Sequence, residues 1–122
     1  VTCHNGAGVG GHMFQKLGLL KEWPGLKDNG RSDVTKNEGE KHFFKVPSLR
    51  NITETGPYLH DGSVKSLEEM VKMMAEYQLG KQLSDEEVSS IVTFLKALKG
   101  TPDAEYIKAP KLPESTPETP KA

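Results

Sequence analysis

The stretch SLEEMVKMMAEYQLG, at residues 66–80, does most to decide the fold. Ser66 followed by Glu69 makes a capping box, a common start of an α-helix. Apolar residues then recur at intervals of three and four, which places them on one helix face: Leu67, Met70, Val71 and Met74. Gly80 stands where a left-handed residue would end the helix. The stretch therefore predicts an amphipathic helix whose apolar face carries methionine.

A second helix is predicted a few residues downstream. Ser84 and Glu87 form another capping box, and Gly100 followed by Pro102 marks the end. Its apolar stripe comprises Val88, Ile91, Val92, Leu95 and Leu98. The sequence shows no further strong helix that could cover this stripe. We therefore expect the stripe to lack a packing partner, and we expect residues 1–122 not to fold stably alone.

The rest of the chain is irregular in pattern. Residues 1–32 are glycine-rich, with one apolar run (13–20) that could form a helical turn or two, and residues 33–46 indicate a loop or a brief extended piece. Prolines are concentrated near the C-terminus, where too few apolar residues remain to order the chain; an extended arm on a partner domain is the alternative. We expect an all-α domain with long loops over residues 1–106 and a proline-rich tail over residues 107–122.

The composition narrows the classes of function. Only 34% of the residues are hydrophobic, which predicts a thin core that a large apolar prosthetic group could complete. The 16 basic and 17 acidic residues are mixed along the chain, so nothing indicates a nucleic-acid partner. No apolar run approaches the roughly 20 residues of a membrane span. Cys3 is the only cysteine, which excludes a disulfide within the chain.

Cys3-His4 is the second half of the C-x-x-C-H motif, in which two thiols attach haem c and the histidine binds iron. The first cysteine of such a motif would precede Val1. The dipeptide alone more often means a structural cysteine beside a surface histidine. The methionines of residues 66–80 favour haem, because histidine–methionine ligation is usual in electron-transfer cytochromes c. Methionines on an apolar helix face can also simply belong to the core.

Five short segments occur in a fixed order: 3–6 (CHNG), 9–11 (VGG), 46–51 (VPSLRN), 56–62 (GPYLHDG) and 78–80 (QLG). Together they resemble the C-terminal domain of bacterial di-haem cytochrome c peroxidases, over roughly residues 1–100. The resemblance implies a cytochrome c-like fold around one haem c. Cys3 would form a thioether bond to the haem and His4 would be the proximal iron ligand. Met74, four residues before the last segment, would be the distal ligand.

The resemblance also implies a calcium ion between this domain and a missing N-terminal haem domain. Thr55 and Pro57 would lend backbone carbonyl oxygens to it, and such oxygens suit this hard cation. Arg50 would lie near a haem propionate. His60 is interpreted as a residue that fixes its loop or lies near the haem edge, and not as an iron ligand. Trp23 is interpreted as a packing residue, with an electron-relay role as the alternative.

The implied function is that of the high-potential haem domain of a periplasmic, homodimeric enzyme that reduces hydrogen peroxide to water. A small donor protein, a cytochrome c or a cupredoxin, would supply electrons. The peroxidatic haem would lie outside this segment, so no catalytic residue is predicted here. A mono-haem cytochrome c carrier is also possible, although it would need neither the 55–62 segment nor the long tail.

Two more functions stay compatible with the sequence. A residue-oxidising di-haem enzyme of the same superfamily would carry tyrosine in place of the axial methionine. Met74 argues against that branch, and Tyr77 is out of register with the ligand position. An interaction module that binds no haem is the last of these functions.

Overall fold

The computed structural model describes residues 2–117 and 119. Its regular elements are a two-stranded sheet, β1 (Phe14–Lys16) and β2 (Phe43–Lys45), and the helices α1 (Ser32–Thr35), α2 (Leu67–Met73) and α3 (Asp85–Ala97). Short 3-10 helices span Glu38–Glu40 and Ile52–Glu54, and a π-helical segment spans Met74–Gln78. The expectation of an all-α fold is therefore wrong.

The antiparallel sheet replaces the helical turn that was expected over residues 13–20. Phe14 pairs with Lys45 and Lys16 pairs with Phe43, so the backbone groups of β1 are satisfied by a partner far along the chain. Gly18 has φ +79°, and a Cβ there would lie 2.8 Å from the backbone nitrogen of Trp23. This left-handed glycine and its close approach are incompatible with a helix through the apolar run.

The first predicted helix is confirmed, with a change of geometry at its end. The Ser66 hydroxyl accepts a hydrogen bond from the Glu69 backbone nitrogen at 3.1 Å. After Met73 the helix widens into the π-helical segment, and Gly80 adopts φ +64° just beyond it. Apolar spacing alone does not distinguish an α-helix from a single wider turn, so only the existence of the helix was predictable.

The second predicted helix is confirmed as α3, with both halves of the capping box formed. The Glu87 carboxylate accepts from the Ser84 nitrogen at 2.8 Å, and the Ser84 hydroxyl accepts from the Glu87 nitrogen at 3.3 Å. α2 packs against α3. The members of the stripe that become buried are Val88, Val92 and Leu95. The expectation that the stripe lacks a partner is therefore wrong for these three, whereas Ile91 stays exposed.

A small cluster centred on Trp23 forms the main core. Its buried members are Leu17, Trp23, Tyr58, Val64 and Met70. Half-buried side chains at its margin include Phe44, Met73, Met74 and Tyr77. Among the described residues no side chain is more than 98% buried. The core is thus as thin as the composition predicted.

The C-terminal region carries little regular structure. Residues 109–117 are exposed and form neither helix nor strand. Residues 118 and 120–122 of the predicted tail lie outside the described residues. The division of the chain at residue 106 stays a prediction. None of the helices described has the length and apolar character needed to cross a bilayer.

Candidate functional site

The loop that carries Cys3 and His4 is bound to the segment that follows β2. This second segment, residues 46–50, runs beside residues 7–11 and exchanges several hydrogen bonds with them. Gly11 N donates to Val46 O at 2.8 Å, Leu49 N to Val9 O at 3.0 Å, Arg50 Nε to Ala7 O at 2.8 Å, and the Ser48 hydroxyl to Gly8 O. The sheet therefore positions the Cys3-His4 loop, because β2 leads directly into the segment that holds it.

The imidazole of His4 is fixed by the same segment. Its Nδ1 lies 3.2 Å from the carbonyl oxygen of Pro47. When Nδ1 donates to this carbonyl, Nε2 carries the lone pair that can bind a metal. Burial lowers the pKa of His4, and hydrogen bonding with the backbone of Pro47 and Val9 opposes the effect in part. The neutral imidazole, which is the ligating form, is therefore favoured.

Gly10 makes this arrangement possible. Its φ is +126°, and a Cβ at this position would lie 2.1 Å from Pro47 O and 3.2 Å from His4 Nδ1. Any side chain would push the carbonyl away from the ring. In the sequence, Gly10 stood out only as part of the glycine-rich 9–11 segment, so its role beside His4 was missed. The glycine pair at 10–11 after a Cys-His dipeptide was the available signal.

Cys3 is a free, half-buried thiol on the same loop. It stands next to His4 in the chain, so whatever fixes the imidazole also limits where this thiol lies. The structure thus keeps together the two residues that the motif requires.

Met74 lies in a different network of contacts. Its half-buried side chain packs against the main core cluster. It is also the first residue of the π-helical segment, and its backbone nitrogen bonds to the carbonyls of Met70 and Val71. Met70 is 92% buried within the cluster itself. Of the two, Met74 has the more accessible side chain, as expected of a ligand to a group outside the cluster.

Thr55 and Pro57 lie in an exposed turn after the 3-10 helix Ile52–Glu54. The Thr55 hydroxyl donates to Ile52 O at 3.3 Å, and so does the Tyr58 hydroxyl at 3.2 Å. No hydrogen bond within residues 2–117 and 119 uses the carbonyl of Thr55 or Pro57. That part of the chain also contains no metal-binding group of three His, Cys, Asp or Glu side chains. Any cation here would rely on main-chain oxygens.

Two further interpretations are confirmed by contacts. His60 Nε2 lies 3.3 Å from Asp28 Oδ2, and its ring stacks on Phe44 with centroids 4.4 Å apart. These contacts fix the loop that carries His60. Trp23 is buried and packs against Tyr77 at a centroid distance of 5.2 Å.

These residues fit a haem c. An imidazole with a fixed ring, a thiol beside it and a thioether at the margin of a thin core make up the chemical set that attaches and ligates this group. Because Gly10 has no side chain, the Pro47 carbonyl can lie beside Nδ1 of His4, which leaves Nε2 available to bind iron.

Comparison with known proteins supports the same class. No family model matches the chain. It is 46% identical over 123 residues to the cytochrome c551 peroxidase of Nitrosomonas europaea. The aligned region covers 100% of this chain and 36% of the relative. It is 47% identical over 103 residues to the cytochrome c peroxidase Ccp of Escherichia coli K12, over 81% of this chain and 22% of the relative. The chain thus spans about a third or less of these curated relatives.

A solved structure resembles the fold. It is the crystal structure of a MauG-like protein associated with microbial copper homeostasis, with a TM-score of 0.68 and 26% identity, over 82% of this chain and 42% of that one. The fold and these similarities relate the chain to a segment of larger bacterial peroxidases. More particularly, the chain is homologous over its whole length to part of the bacterial cytochrome c peroxidases.

Proposed function

We propose that this chain is the high-potential haem domain of a periplasmic di-haem cytochrome c peroxidase. The observation that carries the proposal is the fixed imidazole of His4, held by the Pro47 carbonyl beside Cys3. In this proposal Cys3 would form a thioether bond to the haem, and His4 Nε2 and the Met74 sulfur would bind its iron. When bound, haem c supplies a one-electron iron couple.

The chain's own residues set how readily that couple accepts an electron. The Pro47 carbonyl orients the His4 ring through Nδ1, which strengthens Nε2 as a donor. A thioether is a soft ligand that favours the reduced metal, so Met74 raises the potential. The Met74 side chain packs against the core cluster, so one side of it is apolar. Together these features suit a site that takes electrons from a small donor protein, a cytochrome c or a cupredoxin.

The parent enzyme would consume two electrons and two protons for each hydrogen peroxide reduced to two water molecules. The peroxidatic haem would belong to an N-terminal domain, and this chain would conduct electrons to it. The lengths of the relatives leave room for such a domain, since this chain accounts for only 36% of the Nitrosomonas protein. No residue of this chain is assigned a part in peroxide chemistry.

We further propose that the carbonyls of Thr55 and Pro57 bind calcium where the two haem domains meet. Their exposure and the absence of competing hydrogen bonds within residues 2–117 and 119 support this assignment. A homodimeric parent is proposed on the family resemblance.

A residue-oxidising enzyme is the second candidate, because the solved structure that the chain resembles is MauG-like. Met74 at the proposed ligand position favours the peroxidase, since that other branch would require tyrosine there.

The test uses the full-length protein, assayed for haem content and for oxidation of a reduced cytochrome c by peroxide. We expect two haems per polypeptide and two donor molecules oxidised per peroxide, because the reaction takes two electrons. Without peroxide, the donor should reduce one haem only. One haem per polypeptide and no peroxide consumption would instead identify a mono-haem carrier.

A further inference from the structure

The side-chain amide of Gln78 joins the end of the π-helical segment to the loop after β1. Its Oε1 accepts hydrogen bonds from the backbone nitrogens of Gly18 and Leu19, both at 2.7 Å. Its Nε2 donates to the carbonyl of Lys16 at 3.0 Å. One half-buried amide thus satisfies three main-chain groups within four consecutive residues, about 60 positions away in the chain.

Neighbouring contacts join the same two segments. The carbonyl of Tyr77 accepts from Leu20 N at 3.1 Å and from Lys21 N at 3.2 Å. Lys21 also forms an ion pair with Glu76, and the rings of Trp23 and Tyr77 are in contact. We call this set, formed by residues 16–23 and 76–78, the latch. Gln78 is its central polar member, because it alone holds three backbone groups.

The latch acts on the segment that begins at Met74. A π-helical turn is less favourable than an α-helical one and persists where its surroundings hold it. Met74 and Gln78 are the two ends of that turn, so the position of Gln78 constrains the backbone from which the thioether projects. A thioether binds iron weakly compared with imidazole. Its occupancy therefore depends on how well the protein holds the sulfur in place.

We propose that Gln78 is a positioning residue that keeps Met74 in its ligating position by locking the π-helical segment to residues 16–19. The inference rests on the proposed function, in which Met74 is the distal ligand. Without the amide, Gly18 N, Leu19 N and Lys16 O lose their partner, and the turn is free to relax toward α-helical geometry. The sulfur then leaves the iron more often, and an added ligand competes more successfully.

The test compares Gln78→Ala, Gln78→Glu and a matched control, Gln15→Ala, in the full-length haem-loaded protein. The Gln15 amide oxygen accepts from its neighbour Lys16 N, and within residues 2–117 and 119 this amide bridges no distant segment. The readouts are the weak thioether-to-iron absorption band, the reduction potential and the affinity for added imidazole. If the whole free energy of one typical hydrogen bond is lost from the binding of Met74, the equilibrium constant for that binding falls roughly tenfold. We therefore expect Gln78→Ala to bind imidazole at least roughly tenfold more tightly, with a weakened band and a lowered potential.

Gln78→Glu keeps an oxygen that can accept from Gly18 N and Leu19 N, but as a carboxylate it cannot donate to Lys16 O, so we expect an intermediate effect. If Gln78→Ala fails to fold, Gln78→Glu decides the matter alone: tighter imidazole binding than wild type supports the positioning role, and wild-type binding overturns it. Far-UV circular dichroism and covalent haem content should match the wild type, as should every readout of Gln15→Ala.

Met74→Leu separates the two claims. If it abolishes the band while both Gln78 variants behave as wild type, the positioning role is overturned and the ligand assignment stands. If Met74→Leu leaves the band intact, both are overturned.

Discussion

Replacing Met74 by histidine is expected to lower the reduction potential of the haem on this chain while keeping the iron six-coordinate. Imidazole is a harder ligand than a thioether and stabilises Fe(III). We expect a drop on the order of 100 mV, well within the roughly 0.8 V range that axial ligands can span. Since about 59 mV is tenfold for one electron, reduction by the donor becomes at least tenfold less favourable. Spectroelectrochemical titration of the full-length protein measures this directly.

Two matched controls are available on the same helix. Met70→Leu and Met73→Leu each remove a thioether while conserving volume, a change that cores tolerate well. Both should retain the potential and the thioether absorption band. If Met74→His leaves both unchanged and Met70→Leu abolishes the band, Met70 is the ligand instead.

Removal of calcium is expected to reduce peroxide turnover strongly and leave the haem of this chain reducible by its donor. Chelation would loosen the proposed seam between the two haem domains and disturb electron passage between them. For a typical coupling between sites of about 1–3 kcal/mol, turnover should fall roughly tenfold. The measurement is the turnover of full-length protein before chelation, after chelation and after calcium is restored.

Thr55→Ala is the matched variant for the calcium prediction. The proposed ligand atom is a main-chain oxygen, and the exposed Thr55 hydroxyl donates to Ile52 O. Turnover should therefore stay near the wild-type value when calcium is present. Full activity in a verified calcium-free sample would remove the metal assignment and leave the haem proposal to stand on His4 and Met74.

Local signals predicted α2 and α3 well but did not predict the short α1 helix, Ser32–Thr35. Ser66 and Ser84 stand beside the groups they cap, so a few consecutive residues contain the whole interaction. The haem assignment of Cys3-His4 also comes from adjacent residues, and it stays a prediction. Where the interaction is local, the residue types and their spacing were sufficient.

The features that were missed depend on distant partners. β1 is a three-residue strand whose apolar run resembles a helical turn until its pairing with β2 is known. The clamp on His4 joins residues 43 positions apart, and the Gln78 latch joins residues about 60 apart. The glycine pair at 10–11 signals a special backbone but does not identify Pro47 as its partner, and nothing near Gln78 identifies residues 16–19. The fold class was wrong for the same reason, because the sheet exists only through non-local pairing.

The most direct test of the central claim is the mass of the tryptic peptide that ends at Lys16, from the full-length protein. This peptide contains Cys3, His4 and Gly10 and no other cysteine of this chain. If the chain is a haem c domain, the peptide should carry the mass of one haem and absorb as a haem peptide, and Cys3 should not react with a thiol reagent. A haem-free peptide with a freely alkylated Cys3, recovered from protein that otherwise contains its full complement of haem, would contradict the account.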